Sequence, residues 1–392
     1  MLKGFKFAAV EAAIKKPGRK DLALIFSDTP AVAAAVFTTN KVKAAPVLLS
    51  QARIGSNKCQ ALLVNSGNAN ACTGKQGLVD AQESSRVLAG KLGIDEELIQ
   101  VCSTGVIGVP LPMERFVNAI PPLVDNLGKA SLDDLAAAIM TTDTFPKTSI
   151  RKGSINGVDY TIAGVAKGAG MIMPDMATML SFIVTDAVIE APLLQDIFKK
   201  AVQRSFNAIT VDGDTSTNDT CLIMANGAAK TAVITAESDA ATEFARLLDE
   251  VLLDLARQIV KDGEGASKFV EIKIKGAASD SEAKQAALAV ANSSLVKTAF
   301  YGQDANWGRI FAAVGYSGVQ VDPDRLALWF DEVQMAKDGI FAGGDAEEQG
   351  SKVLQKKEFC VTVELGLGTG FATIFTCDLS HEYVSINADY RT

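Results

Sequence analysis

Apolar residues along the chain occur in two patterns, which predict strands and helices in irregular succession. Short continuous apolar runs bounded by glycine, asparagine or aspartate are typical of buried strands. We predict such strands at residues 22–26, 31–37, 59–64, 99–102, 179–184, 221–225, 268–274, 326–330, 359–365 and 371–376. The dipeptide Asn156-Gly157 favours a two-residue turn and predicts a hairpin over residues 148–166.

Helical periodicity fills much of the remaining chain. The clearest case is the apolar stripe between Phe244 and Ile259, whose members recur at spacings of three and four residues. Ser131 followed by Asp134 predicts a capped helix N-terminus. The predicted helices are residues 77–92, 113–127, 131–140, 191–206, 244–259 and 281–296. Because strands and helices do not alternate regularly, we predict an α+β fold.

Composition narrows the class of protein. The chain has 392 residues, which suffices for two domains or one large one, and its 48% hydrophobic residues are ordinary for a globular protein. A net charge of -8 argues against a nucleic-acid surface. The apolar run Ala31–Phe37 is too short to cross a bilayer, and no signal-peptide pattern is present. Six cysteines without a Cys-x-x-Cys pair favour reduced thiols and a cytoplasmic location.

The single histidine, His381, limits the chemistry that the chain can perform. It excludes a site with several histidine ligands, and no zinc, P-loop or dinucleotide motif is present. We therefore predict no metal and no bound cofactor, and we expect any acyl-transfer base to be a group other than imidazole. The segment Gly366–Gly370 predicts a hairpin turn instead of a nucleotide cradle. The acidic loop 212–219 lacks the spacing of a calcium loop and is predicted to flank a site.

Thr178 lies where a reactive hydroxyl would be well placed. Gly168 and Gly170 let the backbone bend, Pro174 removes a donor, and the small residue Ala177 comes directly before Thr178. The threonine hydroxyl can attack the preceding carbonyl, break the chain and leave a new N-terminal amine as its own base. The competing interpretation is a buried threonine that begins a core strand, and for an arbitrary Ala-Thr pair it is the commoner one.

Two further loops carry hydroxyl and amide groups. Thr104 and Gly105 follow a predicted strand, so a hydroxyl and a backbone N–H can point to one place, as in an oxyanion hole. A plain turn is the commoner structure for such a dipeptide. The loop 65–74 follows a buried strand and offers many donors, and an Asx-rich turn explains it equally well.

Together these segments resemble a known family. The stretch Lys167–Leu180 is similar to the self-cleavage segment of the glutamate N-acetyltransferase family of arginine biosynthesis, also called ornithine acetyltransferases. The further matching segments, in chain order, are 65–74, 103–108, 141–143, 212–219, 262–265, 306–309 and 387–392. The resemblance covers nearly the whole chain and departs from the family pattern at no functional position.

The resemblance implies an N-terminal threonine acyltransferase. Cleavage between Ala177 and Thr178 would give an α chain, residues 1–177, and a β chain, residues 178–392, which stay associated in a heterotetramer of two of each. Thr178 would take the acetyl group from N2-acetylornithine as an ester and pass it to glutamate. Thr104 and Gly105 would form the oxyanion hole. The residues implied to bind substrate are Thr141, Lys167, Thr178, Glu264, Asn387 and Thr392.

The chemistry of these residues agrees with the implied substrates. A lysine, Lys167, suits a substrate carboxylate, whereas Glu264 and the terminal carboxylate of Thr392 suit the side-chain ammonium of ornithine. A model α-amine has a pKa of about 7.7–8.0, so part of it is neutral near pH 7 and can serve as the base. A nearby Lys167 cation would lower that pKa further.

The resemblance also implies an architecture. It indicates an α/β/β/α sandwich with mixed sheets, a main domain over about residues 1–275 and a smaller domain over about 276–392 whose tail returns to the site. We expect the tail to dock as a strand anchored by Val384 and Ile386.

Two other functions remain open at this point. An amidase or aminopeptidase could share the self-cleaving design and give its acyl group to water, and a binding protein would remain uncut. Whether acetyl-CoA also serves as an acetyl donor is likewise left open by the sequence.

Overall fold

The computed structural model describes residues 2–173 and 179–389. Within them the chain forms two compact units. The first comprises the described residues of Met1–Met171, Asp175–Asn207 and Asp214–Ile259, and the second those of Ile172–Pro174, Ala208–Gly213 and Val260–Thr392. The predicted boundary near residue 275 lies inside the second unit. The predicted α+β class is confirmed, since mixed sheets and helices occur in both units.

The first unit contains an eight-stranded mixed sheet in the order β4-β3-β2-β8-β7-β6-β5, with β1 paired to β2. Its strands are β1 (Phe5–Val10), β2 (Leu22–Phe37), β3 (Lys58–Asn65), β4 (Ile99–Ser103), β5 (Lys147–Ile155), β6 (Val158–Lys167), β7 (Leu180–Thr185) and β8 (Thr220–Ala225). The two runs predicted at 22–26 and 31–37 are one strand, β2. β1 pairs with the first part of β2 and β8 with the second part, and the pairing of β2 with β3 shifts register between Phe26 and Ala31.

Helices cover both faces of this sheet. They are α1 (Ala45–Arg53), α2 (Gly74–Leu92), α3 (Met113–Asp125), α4 (Leu132–Ile139), α5 (Ala191–Arg204) and α6 (Asp239–Lys261). Alternate residues of β2 and β3 face opposite ways. Ile25 and Leu62 pack in one cluster with α4, while Leu24 and Leu63 pack in the other with α1, α2 and α3. The continuous apolar runs in the sequence reflect this burial on two faces.

Two local predictions in the first unit are confirmed. Ser131 and Asp134 form the predicted capping box at the start of α4. Asn156 and Gly157 both have positive φ, which is what the predicted two-residue turn between β5 and β6 requires.

The second unit contains a six-stranded mixed sheet in the order β12-β11-β10-β13-β9-β14. Its strands are β9 (Phe269–Ala277), β10 (Ala327–Phe330), β11 (Val333–Lys337), β12 (Ile340–Phe341), β13 (Glu358–Glu364) and β14 (Gly370–Cys377). Its helices are α7 (Asp280–Ala291), α8 (Ser294–Tyr301), α9 (Trp307–Gly315), α10 (Ala346–Leu354) and α11 (His381–Ala388). One core joins the sheet to α7, α8, α9 and α10, with Ile272, Val361 and Ile374 from three neighbouring strands at its centre.

Three predictions about the second unit are wrong. The segment Gly366–Gly370 is not a hairpin turn, because β13 and β14 lie on opposite sides of β9, one parallel and one antiparallel to it. The helix predicted at 281–296 is two helices, since Ser293 caps a new one. The tail is the helix α11 instead of a strand, and Val384, 65% exposed, anchors nothing in the core.

Among the described residues, no helix is both long and apolar enough to span a membrane.

Candidate active site

Three of the predicted site residues, Ala177, Thr178 and Thr392, lie outside the described residues. The remaining six are described. Thr104, Gly105, Thr141 and Lys167 belong to the first unit, and Glu264 and Asn387 belong to the second.

The Thr104–Gly105 turn follows β4 and is built into the first unit by buried polar contacts. The Thr104 N–H donates to the Asn65 carbonyl at 3.0 Å, so this residue presents its hydroxyl and not its amide. Ser103 donates to the Asn65 side chain at 2.6 Å, and Asn218 donates to the Ser103 carbonyl at 2.8 Å. The turn is therefore held rigidly by its neighbours.

Gly105 could be no other residue. Its φ is +134°, and a Cβ there would lie 2.3 Å from the carbonyl carbon of Gly67 and 2.5 Å from the Asn68 nitrogen. Both contacts are with backbone, which cannot move aside as a flexible side chain can. The close approach of two backbone segments is thus what the glycine makes possible.

Lys167 is the last residue of β6 and is 4% exposed. Its Nζ donates to Thr104 Oγ1 at 3.3 Å. A hydroxyl has one hydrogen to give and lone pairs to accept with, so a Thr104 oxygen that accepts from Lys167 still has its own hydrogen to donate. The structure therefore brings Lys167 to the Thr104–Gly105 turn, although Lys167 and Thr104 are 63 positions apart in the sequence.

Thr141 is connected to this group through Asp143. The Asp143 carboxylate accepts from the Thr141 N–H at 3.0 Å and from the Gly168 N–H at 2.7 Å. It also accepts from Lys147 Nζ at 2.8 Å, and neither side chain of that ion pair is exposed. Burial alone raises the pKa of Asp143, but the charges of Lys167 and Lys147 outweigh it and lower the pKa to about 2.

Asp219 is a second buried carboxyl group of the first unit. Its Oδ1 accepts from the N–H of Met179, the residue after Thr178, at 2.9 Å. Its Oδ2 is buried without a hydrogen-bond partner among the described residues. Burial raises the pKa of Asp219 well above its usual value, and the Met179 N–H and the Lys167 charge counter this only in part.

In the second unit, Glu264 and Asn387 are in direct contact. Asn387 Nδ2 donates to Glu264 Oε2 at 2.7 Å and to the Tyr383 carbonyl, one turn earlier in α11, at 3.0 Å. Gly265 has φ +69°, and a Cβ there would lie 2.6 Å from the Tyr383 nitrogen. Ser380 Oγ donates to the Gly265 carbonyl at 2.6 Å. The loop after α6 therefore packs tightly against the start of α11.

His381, the single histidine, begins α11, and its ring packs edge-on against Tyr301 with 5.8 Å between the ring centroids.

Sequence reasoning assigned no role to Asp143, Lys147 or Asp219. Asp143 and Asp219 each lie in a segment that matches the family pattern, and each lies shortly before a strand. These two features could have identified them as candidate site residues. Lys147 had no such signal, because a lysine at the start of a strand is ordinarily exposed. Its full burial follows only from the packing around it.

Comparisons with known proteins give one consistent answer. The sequence profile described as "ArgJ family" matches residues 6–392. The chain is 66% identical over 391 residues to the "Arginine biosynthesis bifunctional protein ArgJ" of Geobacter sulfurreducens, with 100% of both chains covered. It is 56% identical to the protein of the same name from Syntrophotalea carbinolica, with 99% of each covered.

A solved structure agrees with these matches. The crystal structure of the arginine biosynthesis bifunctional protein ArgJ from Bacillus halodurans superposes with a TM-score of 0.52 and 42% sequence identity. The match covers 54% of this chain and 99% of that one.

Proposed function

The chain belongs to the ArgJ family, whose curated members named above are bifunctional proteins of arginine biosynthesis, and we propose that it transfers acetyl groups from N2-acetylornithine to glutamate. The observation that carries this proposal is the contact of Lys167 Nζ with Thr104 Oγ1 beside Gly105. It combines a cation suited to a substrate carboxylate with a donor suited to an oxyanion, deep in the first unit.

The proposed nucleophile is Thr178. Self-cleavage between Ala177 and Thr178 frees an α-amine, which takes the proton of the Thr178 hydroxyl as Oγ attacks the acetyl carbonyl of the donor. The amide C–N bond then breaks, the proton goes to the departing amine, and ornithine leaves the acetyl-Thr178 ester behind. The amine of glutamate attacks this ester and gives up a proton to the α-amine of Thr178. The C–O bond then breaks, that proton passes to Oγ, and acetylglutamate leaves with the hydroxyl restored.

The oxyanion of each tetrahedral intermediate needs donors in fixed positions. We assign this role to the Thr104 hydroxyl, which keeps its hydrogen while accepting from Lys167, and to the Gly105 N–H. Because the oxyanion forms only near the transition state, such donors act on turnover more than on binding. One donor of this kind is commonly worth about 3–4 kcal/mol.

Substrate recognition follows from charge. Lys167 suits the carboxylate that acetylornithine and glutamate share, and Thr141 is assigned to the same part of the site. Glu264 suits the side-chain ammonium of ornithine, with Asn387 holding its carboxylate in place through the 2.7 Å contact. Thr392 completes this set by family resemblance.

Several finer points remain predictions. They are a heterotetramer of two α and two β chains, a cytoplasmic location, catalysis without a metal or bound cofactor, and the use of acetyl-CoA as a second donor. The second candidate function, an amidase that gives the acetyl group to water, uses the same nucleophile and differs only in the acceptor.

One experiment separates the candidates. The purified protein is incubated with acetylornithine, with and without glutamate, and analysed by intact mass spectrometry and an acetate assay. We expect two chains, 1–177 and 178–392, with one acetyl group on the second chain under donor alone, and acetylglutamate once glutamate is added. The Thr178→Ala variant should remain one inactive chain.

Two outcomes contradict the proposal. Acetate released at the same rate without glutamate would identify a hydrolase. A single full-length chain in active protein would exclude Thr178 as an N-terminal nucleophile.

A further inference from the structure

Two buried charged residues of the first unit, Asp143 and Lys147, have no chemical part in the proposed reaction. Asp143 nevertheless accepts hydrogen bonds from the backbone at Thr141 and directly after Lys167, and Lys147 donates to Asp143. We propose that they form a positioning pair, which holds the backbone of Thr141 and Lys167 in the geometry that binds the substrate. The inference rests on the proposed function of Thr141 and Lys167 and assigns no bond-making step to the pair.

The Asp143 carboxylate uses both of its oxygens. Oδ2 accepts from the N–H of Thr141 at 3.0 Å, and Oδ1 accepts from the N–H of Gly168, the residue after Lys167, at 2.7 Å. One rigid planar group therefore connects two backbone segments that are 27 positions apart in the sequence. Moving either segment by even an ångström would break a charge-assisted hydrogen bond.

Lys147 holds the carboxylate in this arrangement. Its Nζ donates to the same Oδ1 at 2.8 Å, and its side chain is 0% exposed. As the first residue of β5 it pairs in register with Ala166 of β6, directly before Lys167. The ammonium lies 4.9 Å from the centre of the Phe145 ring, a favourable cation–π position. A paired ammonium keeps Asp143 ionised, and only the ionised form accepts through both oxygens without donating.

Stability alone is a weak explanation for such a pair. Replacing a buried ion pair by apolar side chains of similar volume is often neutral or stabilising, whereas removing one member alone is costly. A pair retained only for packing would thus be dispensable as a pair. The two backbone contacts of Asp143 are not dispensable in this way, because no apolar side chain can accept a hydrogen bond from the Thr141 and Gly168 N–H groups.

The test is a double variant, Asp143→Leu with Lys147→Met, which removes both charges together. The matched control is Asp196→Leu with Lys200→Met, an exposed pair of the same residue types and spacing at 2.7 Å in α5. We expect the Asp143/Lys147 double variant to fold but to lose about ten- to hundredfold in kcat/KM, the range for a hydrogen bond to a charged group. The loss should fall mainly on KM for acetylornithine. The control should match the wild type.

A conservative variant provides the second measurement. Asp143→Asn keeps one carbonyl oxygen as acceptor, so its KM should lie between those of the wild type and the double variant. A purely structural role predicts no such order of KM values. It also serves if the double variant fails to fold.

Each outcome decides the matter. A folded double variant with wild-type KM overturns the positioning pair. If the double variant is unfolded, an Asp143→Asn variant with wild-type KM overturns it. In both cases acetyl transfer by the wild-type protein leaves the proposed function standing. Absence of acetyl transfer by the wild-type protein overturns the proposed function and this inference together.

Discussion

Asp143 and Asp219 are both buried carboxyl groups of the first unit, and their surroundings drive them in opposite directions. Asp143 is 8% exposed and Asp219 is 1% exposed, so burial hardly distinguishes them. Asp143 accepts from two backbone N–H groups and from Lys147, and its pKa falls to about 2. Asp219 has one backbone donor and one unpartnered oxygen among the described residues, and burial raises its pKa.

The difference shows that the supply of partners decides the charge state of a buried carboxyl, and burial does not decide it alone. Removing a carboxylate from water always favours the neutral form. Near Asp143, two lysines and two amides more than repay this cost. The partners of Asp219 do not offset the cost of its burial, so its carboxyl group loses its proton at a higher pH than an exposed aspartate does. The two aspartates should therefore respond oppositely to substitution and to pH.

The largest effect is expected from Lys147→Met, which leaves Asp143 without its closest cation. Breaking a buried pair by removing one member commonly costs about 3–5 kcal/mol of unfolding free energy. Urea unfolding at pH 7 measures it, with Lys200→Met as the control, since that exposed pair should be worth less than about 1 kcal/mol. Equal losses in the two variants would mean that the buried pair contributes no more than a surface one.

Asp143→Asn should lower the free energy of unfolding by somewhat less than Lys147→Met does, and this loss should depend on pH. The charges of Lys167 and Lys147 hold the folded pKa of Asp143 at about 2, below its ordinary value of 3.8. A lowered pKa contributes stability that is present above the unfolded pKa and lost as pH falls through the folded pKa.

The free-energy difference between wild type and Asp143→Asn should thus be constant from about pH 7 to pH 5 and shrink between about pH 4 and pH 2. Denaturant unfolding across this range measures it. A difference that does not change below pH 4 would show that the carboxylate charge is not what stabilises the fold.

Asp219→Asn should change the free energy of unfolding least, and it should increase this free energy instead of lowering it. A raised carboxyl pKa means that the folded state binds more protons than the unfolded state between the two pKa values, so stability falls as pH rises through that window. The amide keeps an oxygen for the Met179 N–H and cannot ionise. We expect the variant to be more stable than wild type by about 1 kcal/mol at pH 7 and equal to it below about pH 4.

Unfolding midpoints at several pH values test this, with the exposed Asp196→Asn as the control. A loss at pH 7 as large as that of Asp143→Asn would show that Asp219 is ionised and fully paired, and the contrast between the two aspartates would fail.

Much of the local structure could be predicted from the sequence because its causes are local. The capping box of Ser131 and Asp134 and the turn at Asn156-Gly157 depend on residues three or fewer apart. The stripe from Phe244 to Ile259 repeats with the helical period, and it lies within α6. The α+β class follows from the irregular order of such elements.

Some errors show where local causes end. The segment 366–370 has the composition of a turn, but β9 lies between the strands on either side of it. The residues around Val384 are apolar enough for a strand, yet they form the helix α11, held to the second unit by contacts such as Asn387 with Glu264. The neighbours of a strand and the conformation of the tail depend on residues that are distant in the sequence: Glu358 pairs with Phe269, and Asn387 contacts Glu264.

The sequence by itself determined the class of fold, most of the helices and strands, and through family resemblance the residues proposed for the site. Only the tertiary structure decided that Lys167 donates to Thr104, that Asp143 joins Thr141 to Gly168, and that Lys147 is fully buried. The physical reason is that helix caps and turns are selected by neighbouring residues, whereas the charge and contacts of a buried group depend on every segment packed around it.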